Sequence, residues 1–444
     1  MKLKKIAVLL AIAGLSSSAF ATNGMNMEGY GPIATGMGGA SMAYDNGTAG
    51  LINNPATLGF MKSGTARFDI AIGGLHPDVT AKMAGMPNAN SDGTAYYMPA
   101  AGYVRKDGKL TYGVGMMAQG GMGTEYGKNS FLSFSPTLGG PTGQENRSEL
   151  GIGRIIFPLA YDVTDTFKFG GSIDYLWGGL DLQMVMDGAG LGAMLTPGGS
   201  PIGTASTTMT LPPIAWAQFD FSKGDNKFTQ ELTTNGWALN LGFTWKAAPN
   251  LTIGGVYHAK THLSDMKGKG RLNNNVMPIP GTLKVVDFQW PETFGLGLAY
   301  QATDKLMIAA DYKRINWSDV MKNFRMNFVA DGGMGTMDAT LYQDWKNQDV
   351  FMIGGSYKYS DALVLRAGVN LASNPIPDKY INYLFPATIK NHYTLGFGYA
   401  VSKAGSVDFS YVYAPEVSVT NPNMGIKTTH GQSNNWQFMY SHRF

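Results

Sequence analysis

The chain has 444 residues, of which 59 are Gly, 52 are aromatic (8 Trp, 22 Tyr and 22 Phe), 15% are charged and none is Cys, with a formal net charge of +3. Zero cysteine removes disulfides, thiolate catalysis and zinc–thiolate sites, and so small a net charge without a basic block does not suit nucleic-acid binding. The length could hold two or three soluble domains. A mean hydropathy of -0.10 is also what a barrel shows when polar lumen positions dilute its lipid face.

Residues 1–21 read as a secretory signal peptide. Met1 to Lys5 is a basic start, Ile6 to Leu15 an apolar core, and Ala19-Phe20-Ala21 a small-residue cleavage site. The mature chain would then begin at Thr22. No later stretch reaches about 18 consecutive apolar residues, so no helical span is expected. A membrane protein without one has to be a closed barrel, because open sheet edges cannot sit in hydrocarbon. Residues 22–62 follow neither a helical nor a strand period. This Gly-rich piece, with Met25, Met27, Met37 and Met42, is too apolar for a disordered tail. It reads as a plug filling a lumen.

From 63 to 444 the pattern has period two. Trp237, Leu239, Leu241, Phe243 and Trp245 alternate with small or polar residues, as do Phe294 to Tyr300 and Tyr393 to Tyr399. At ~3.3 Å per residue and ~40° of tilt, Trp237 and Trp245 stand roughly 20 Å apart along a membrane normal, close to the spacing of two aromatic girdles. Turns rich in Asp, Asn, Gly or Pro near 106–109, 163–166, 247–250, 302–304, 360–361 and 402–405 are short. They alternate with long segments at 76–94, 119–148, 185–233, 265–282, 329–345, 371–390 and 417–433. Short periplasmic turns against long outer loops are the asymmetry of an outer-membrane barrel. The expected fold is all-β, a transmembrane antiparallel β-barrel of about 14 strands. Its last strand carries Trp436, Phe438, Tyr440 and His442 and finishes on Phe444, which resembles the closing strand through which the barrel-assembly machinery recognises its clients.

Candidate sites are few. The third strand starts at Thr111 and runs into Gly120, Gly121 and Gly123. Glycines there mark either a kink that breaks pairing and opens a lateral window or the start of the second outer loop. By alternation Arg154, Asp174, Asp311, Lys313, Arg366 and Asp408 face inward, where charges must pair with one another or with plug backbone. His258 and His262, four apart, could share a face, but no acidic cluster joins them and no metal site is expected. The stretch Gly36 to Gly39 mimics a nucleotide loop without its βαβ context. No catalytic constellation and no cofactor emerge. An adaptable apolar path would use Met, and the chain holds 26.

Taken together, these residues resemble the FadL/TodX family of outer-membrane transporters for hydrophobic compounds. The resemblance runs over essentially the whole mature chain. It is carried by Gly38 to Asp45, then Asn53-Asn54-Pro55-Ala56, Trp290 to Tyr300, Ala310 to Trp317, and Leu365 to Gly368 leading to Asn374-Pro375-Ile376-Pro377-Asp378. It implies an N-terminal hatch over 22–62, marked by Asn54, Pro55 and Ala56, inside a barrel over 63–444. It also implies an internal apolar site, for which Met25, Met27, Tyr30, Arg154 and Trp177 are candidates, and lateral exit beside a kinked third strand. The implied location is the outer membrane of a Gram-negative bacterium, among lipid and lipopolysaccharide. The implied cargo is a long-chain fatty acid or a related detergent-like hydrophobe, taken up passively. Tyr175 to Gln183 contains no Lys or Arg, a departure that keeps neutral aromatic hydrocarbons in play. A general diffusion porin, or a barrel that only anchors an enzyme or adhesin, are the rivals.

Overall fold

The computed structural model describes residues 23–222, 226 and 229–444; the expected signal peptide lies outside them. Period-two alternation becomes a closed antiparallel barrel. Thr65–Leu75 pairs with Tyr96–Asp107, and the ladder passes on through Leu110–Tyr126, Asn146–Asp162, Phe167–Asp187 and Leu232–Ala248. It continues through Leu251–His258, Thr293–Gln301, Leu306–Ile315, Gln348–Lys358 and Leu363–Ala372. Asn391–Ala400, Gly405–Asn421 and Ile426–Arg443 follow, and the last returns to Thr65–Leu75. Closure pairs the strands on both sides over most of their length, as a sheet in hydrocarbon requires.

The two faces of the wall differ as alternation demands. Trp237, Leu239 and Trp245 are exposed, whereas Ala238, Asn240 and Thr244 between them are buried. No helix among the described residues is long and apolar enough to cross a membrane.

The expected count of about 14 strands covers this circuit but not the whole sheet, which holds 23 strands among the described residues. Much of what reads as irregular outer loop carries ladders of its own. Met266–Asn274, Ile279–Val286, Asn323–Ala330 and Thr336–Tyr342 pair in succession and extend the wall outward. Pro77–Lys82 pairs with the outer part of Ile426–Arg443, and the expected loop 417–433 shrinks to the turn between two long strands. Gly, Pro and Asn content conceals such strands because their partners are remote in sequence.

Residues 23–59 are buried except the exposed Asp45 and the half-buried Tyr30 and Gly31, and bond to wall strands on several sides of the circuit. Asp311 Oδ2 accepts the Ser41 and Met42 N–H groups at 2.6 and 3.0 Å. Thr394 Oγ1 accepts the Gly38 N–H at 3.0 Å, and Asp69 Oδ2 accepts that of Thr48 at 2.8 Å. Asn54 Nδ2 donates to the Phe243 carbonyl at 3.1 Å. Inward wall charges therefore replace the water that this irregular backbone would otherwise need.

Candidate functional site

The third strand, Leu110–Tyr126, leaves one neighbour halfway along. Its pairing with Tyr96–Asp107 ends at Ala101↔Met116. Beyond that point Tyr96 to Ala100 still pairs with Thr65–Leu75, while the rest of Leu110–Tyr126 stays on Asn146–Asp162. Two local causes converge. Pro99 brings no N–H to a ladder, and the strand carries a register shift between Ala118 and Gly120. The shifted stretch is drawn onto the N-terminal segment. Gly120 forms a bridge with Asn26, Gln119 Nε2 donates to Asn26 Oδ1 at 2.7 Å, and the Tyr30 hydroxyl donates to the Gln119 carbonyl at 2.6 Å. A side chain at position 120 would place its Cβ 2.1 Å from the Met25 carbonyl oxygen, so only Gly permits this approach. Gly121 and Gly123 remain paired in the strand, opposite Gly151 and Glu149. The glycines thus belong to neither an outer loop nor the start of the break, which begins at Met117.

An apolar cavity of about 50 Å³ lies at this break, lined by Met27, Tyr30, Met98, Pro99, Met117 and Met439 among others. A polar cavity of about 40 Å³ shares Met27 and Tyr30 with it and adds Asn23, Gln119, Arg154, His258 and Lys313. Asn23 Oδ1, Asn53 Oδ1, Gln119 Oε1 and Arg154 Nε are buried without a hydrogen-bond partner, and all four residues line that polar cavity. Burial drives the Tyr30 phenol well above its ordinary pKa, so it stays a neutral donor to Gln119. Nearer the outer loops, a third cavity of about 170 Å³ is lined by Met184, Met186, Ile202, Leu341, Tyr380 and Tyr383. The carbonyl of Tyr383 accepts from Thr124 Oγ1 and the Tyr126 hydroxyl, each at 3.1 Å, and that of Leu384 from Ser148 Oγ at 2.5 Å. The segment around these two residues is thereby held to the outer halves of the two strands that flank the register shift.

Met27, Tyr30 and Arg154 meet at the paired cavities, and Met25 supplies the carbonyl against Gly120. Trp177 does not join them. It lies on the same outward face as Ile173 and Tyr175, with its ring over Gly153. His258 points inward, Nδ1 2.7 Å from Asn240 Oδ1, whereas His262 is exposed beside Trp237; a loop breaks the strand between them, so they share no face. Asn54 caps the short helix Pro55–Phe60 by accepting the Ala56 N–H at 3.1 Å, and Pro55 occupies the first helical position, where no N–H is needed. The inward charges pair as alternation suggests: Arg154 with Asp174 at 2.8 Å and Arg366 with Asp408 at 2.7 Å. Sequence reasoning missed Gln119, whose role depends on the register shift.

Asp174 also accepts from Ser172 Oγ and Asn240 Nδ2, both at 2.7 Å. Asp174→Ala would leave the Arg154 guanidinium buried without its counter-ion. A loss of about 3–5 kcal/mol is expected, measured as a lowered denaturant midpoint of the purified protein in detergent. An unchanged midpoint would mean that solvent or another group neutralises Arg154.

Residues 8–441 match the family described as outer membrane protein transport protein (OMPP1/FadL/TodX). The crystal structure of the Pseudomonas putida toluene transporter TodX superposes with a TM-score of 0.82 at 30% identity, covering 94% of this chain and 99% of that one. Outer membrane protein P1 of Haemophilus influenzae is 25% identical over 431 residues, 92% of this chain and 88% of that protein. An uncharacterized protein of Chlorobium limicola is 49% identical over 89 residues, which span 20% of this chain and 43% of that protein.

Proposed function

Because the chain belongs to the OMPP1/FadL/TodX family of outer-membrane transport proteins, we propose that it carries small hydrophobic molecules, foremost monoaromatic hydrocarbons, passively into the outer membrane. The observation that carries this reading is the apolar cavity at the break between Ala100 and Met117. A water-filled pore offers an apolar solute no favourable site, and a polar outer leaflet resists it. Transient burial in apolar pockets meets both difficulties, at roughly 0.8 kcal/mol per buried CH₂. The outer cavity of about 170 Å³ would capture the ligand first. An apolar cavity of roughly 150 Å³ accepts benzene, and the TodX relative is a toluene transporter. Residues 22–62 act as the hatch, and residues 63–444 as the barrel. Displacement of Asn26 and Tyr30 from Gln119 enlarges the inner site, and the ligand leaves sideways into lipid. The barrel would be inserted by the assembly machinery through its terminal strand, with outer-membrane lipid and lipopolysaccharide around it.

A second reading has its own observation. The polar cavity gathers Arg154 and Lys313 beside the apolar one, an arrangement suited to a fatty acid with its carboxylate between these two cations and its chain beyond Tyr30. Uptake of radiolabelled toluene and oleate by cells that lack their own transporters and express this chain separates the two. Accelerated toluene entry with unchanged oleate entry is the expected result. Faster oleate entry alone would establish the second reading, and acceleration of neither would reject both.

A further inference from the structure

We propose that the outward face of the sheet above the membrane, centred on Lys267 and Lys284, docks the phosphate groups of lipopolysaccharide. The sheet is formed by Met266–Asn274, Ile279–Val286 and Asn323–Ala330. Its other face is apolar and packed, with Met266, Leu283, Val285, Met326 and Phe328 buried. On the outward face Lys267 stands directly opposite Lys284, flanked in the same row by Thr233 and Asn327. Like charges directly opposite each other destabilise a ladder, and neither lysine has an ion pair among the described residues. Five acids nearby have other partners. Asp331 holds Lys269 at 2.9 Å, Asp287 holds Arg325 at 3.3 Å, and Asp220 holds Arg271 at 3.0 Å. Asp338 accepts from Asn327 Nδ2 at 2.7 Å, and Asp265 accepts the Asp287 N–H at 3.0 Å. Two ammonium groups side by side without ion pairs of their own, with the Thr233 hydroxyl in the same row, complement a phosphate better than a neutral or cationic partner.

Height selects the source of that phosphate. Lys267 pairs with Thr233, and four residues further down the same strand Trp237 pairs with His262 and is 53% exposed. Trp237 packs edge-on against Tyr175, with ring centroids 5.2 Å apart, and together they mark the outer aromatic belt. Four residues at ~3.3 Å, tilted by ~40°, put the lysine pair roughly 10 Å above that belt. This is the level of the phosphorylated head of a glycolipid in the outer leaflet. The face looks sideways over that leaflet, since it continues the lipid-facing side of Leu232–Ala248 on which Thr233 and Trp237 both lie.

The test is native mass spectrometry of the full barrel in neutral detergent, titrated with lipopolysaccharide and with its dephosphorylated form. Wild type is expected to retain the phosphorylated form at least tenfold more tightly. K267E/K284E is expected to lose that preference, while K305E, at the opposite end of the barrel, keeps it. Equal retention of both lipid forms by wild type overturns the proposal, as does an unchanged preference in K267E/K284E or a loss in K305E as well. A dimer mass that vanishes in K267E/K284E, without lipid retention, would assign the face to a second copy and overturn it too. The outcome is independent of cargo, because toluene uptake is read separately.

Discussion

Gly368→Val is expected to turn a silent barrel into one that conducts ions. A Cβ at position 368 would lie 2.2 Å from the Gly38 nitrogen and 2.3 Å from the Met37 carbonyl carbon. Both neighbours are backbone, so no rotamer relieves the clash. The N-terminal segment would have to withdraw from the strands Leu363–Ala372 and Asn391–Ala400. Withdrawal gives up the bond from the Gly38 N–H to Thr394 and those from Asn370 Nδ2 to the Glu28 and Gly38 carbonyls. Overpacking costs about 1–3 kcal/mol, and each bond about 0.5–1.5 kcal/mol more. The wall is closed by ladders elsewhere and should still assemble. Planar-bilayer recordings are the measurement. Steady conductance in Gly368→Val above that of wild type is expected, and equal silence from a correctly folded variant would show that residues 23–60 do not occlude the lumen.

Ala100→Trp is expected to cut hydrocarbon uptake by an order of magnitude or more while leaving capture at the outer cavity intact. Ala100 lines the apolar cavity beside the break, where the strand Tyr96–Asp107 has lost its partner on one side. An indole there would fill the gap without touching the outer cavity or the polar one, since Ala100 lines neither. Exit would fail and capture would persist. Transport of labelled toluene in cells, set against equilibrium binding to purified protein, separates these steps. Undiminished uptake would place the exit elsewhere in the wall.

Much of this molecule was legible beforehand, and the reason is local. Side-chain direction in a strand alternates with every residue, so the series from Trp237 to Trp245 already says which face meets lipid, and the inward set of Arg154, Asp174, Arg366 and Asp408 follows by the same rule. The alternation of the wall and the inward direction of its charges therefore emerged from the amino-acid order alone, whereas which charge meets which partner did not. Trp177 shows the limit: alternation correctly sends it outward with Ile173 and Tyr175, and a ligand-contact role for it conflicts with that rule.

Tertiary structure decided where ladders stop and what stands between them. The Gly38–Thr394 bond spans 356 positions, and no periodicity in either segment encodes it. The break after Met116 depends jointly on Pro99, on a one-residue shift at Ala118 and on Asn26 reaching Gly120, three events in separate parts of the chain. The opposed Lys267 and Lys284 likewise became a pair only when register set them face to face. Periodicity is a property of neighbours along the chain, whereas register and occlusion are properties of remote segments that meet only after the barrel has closed.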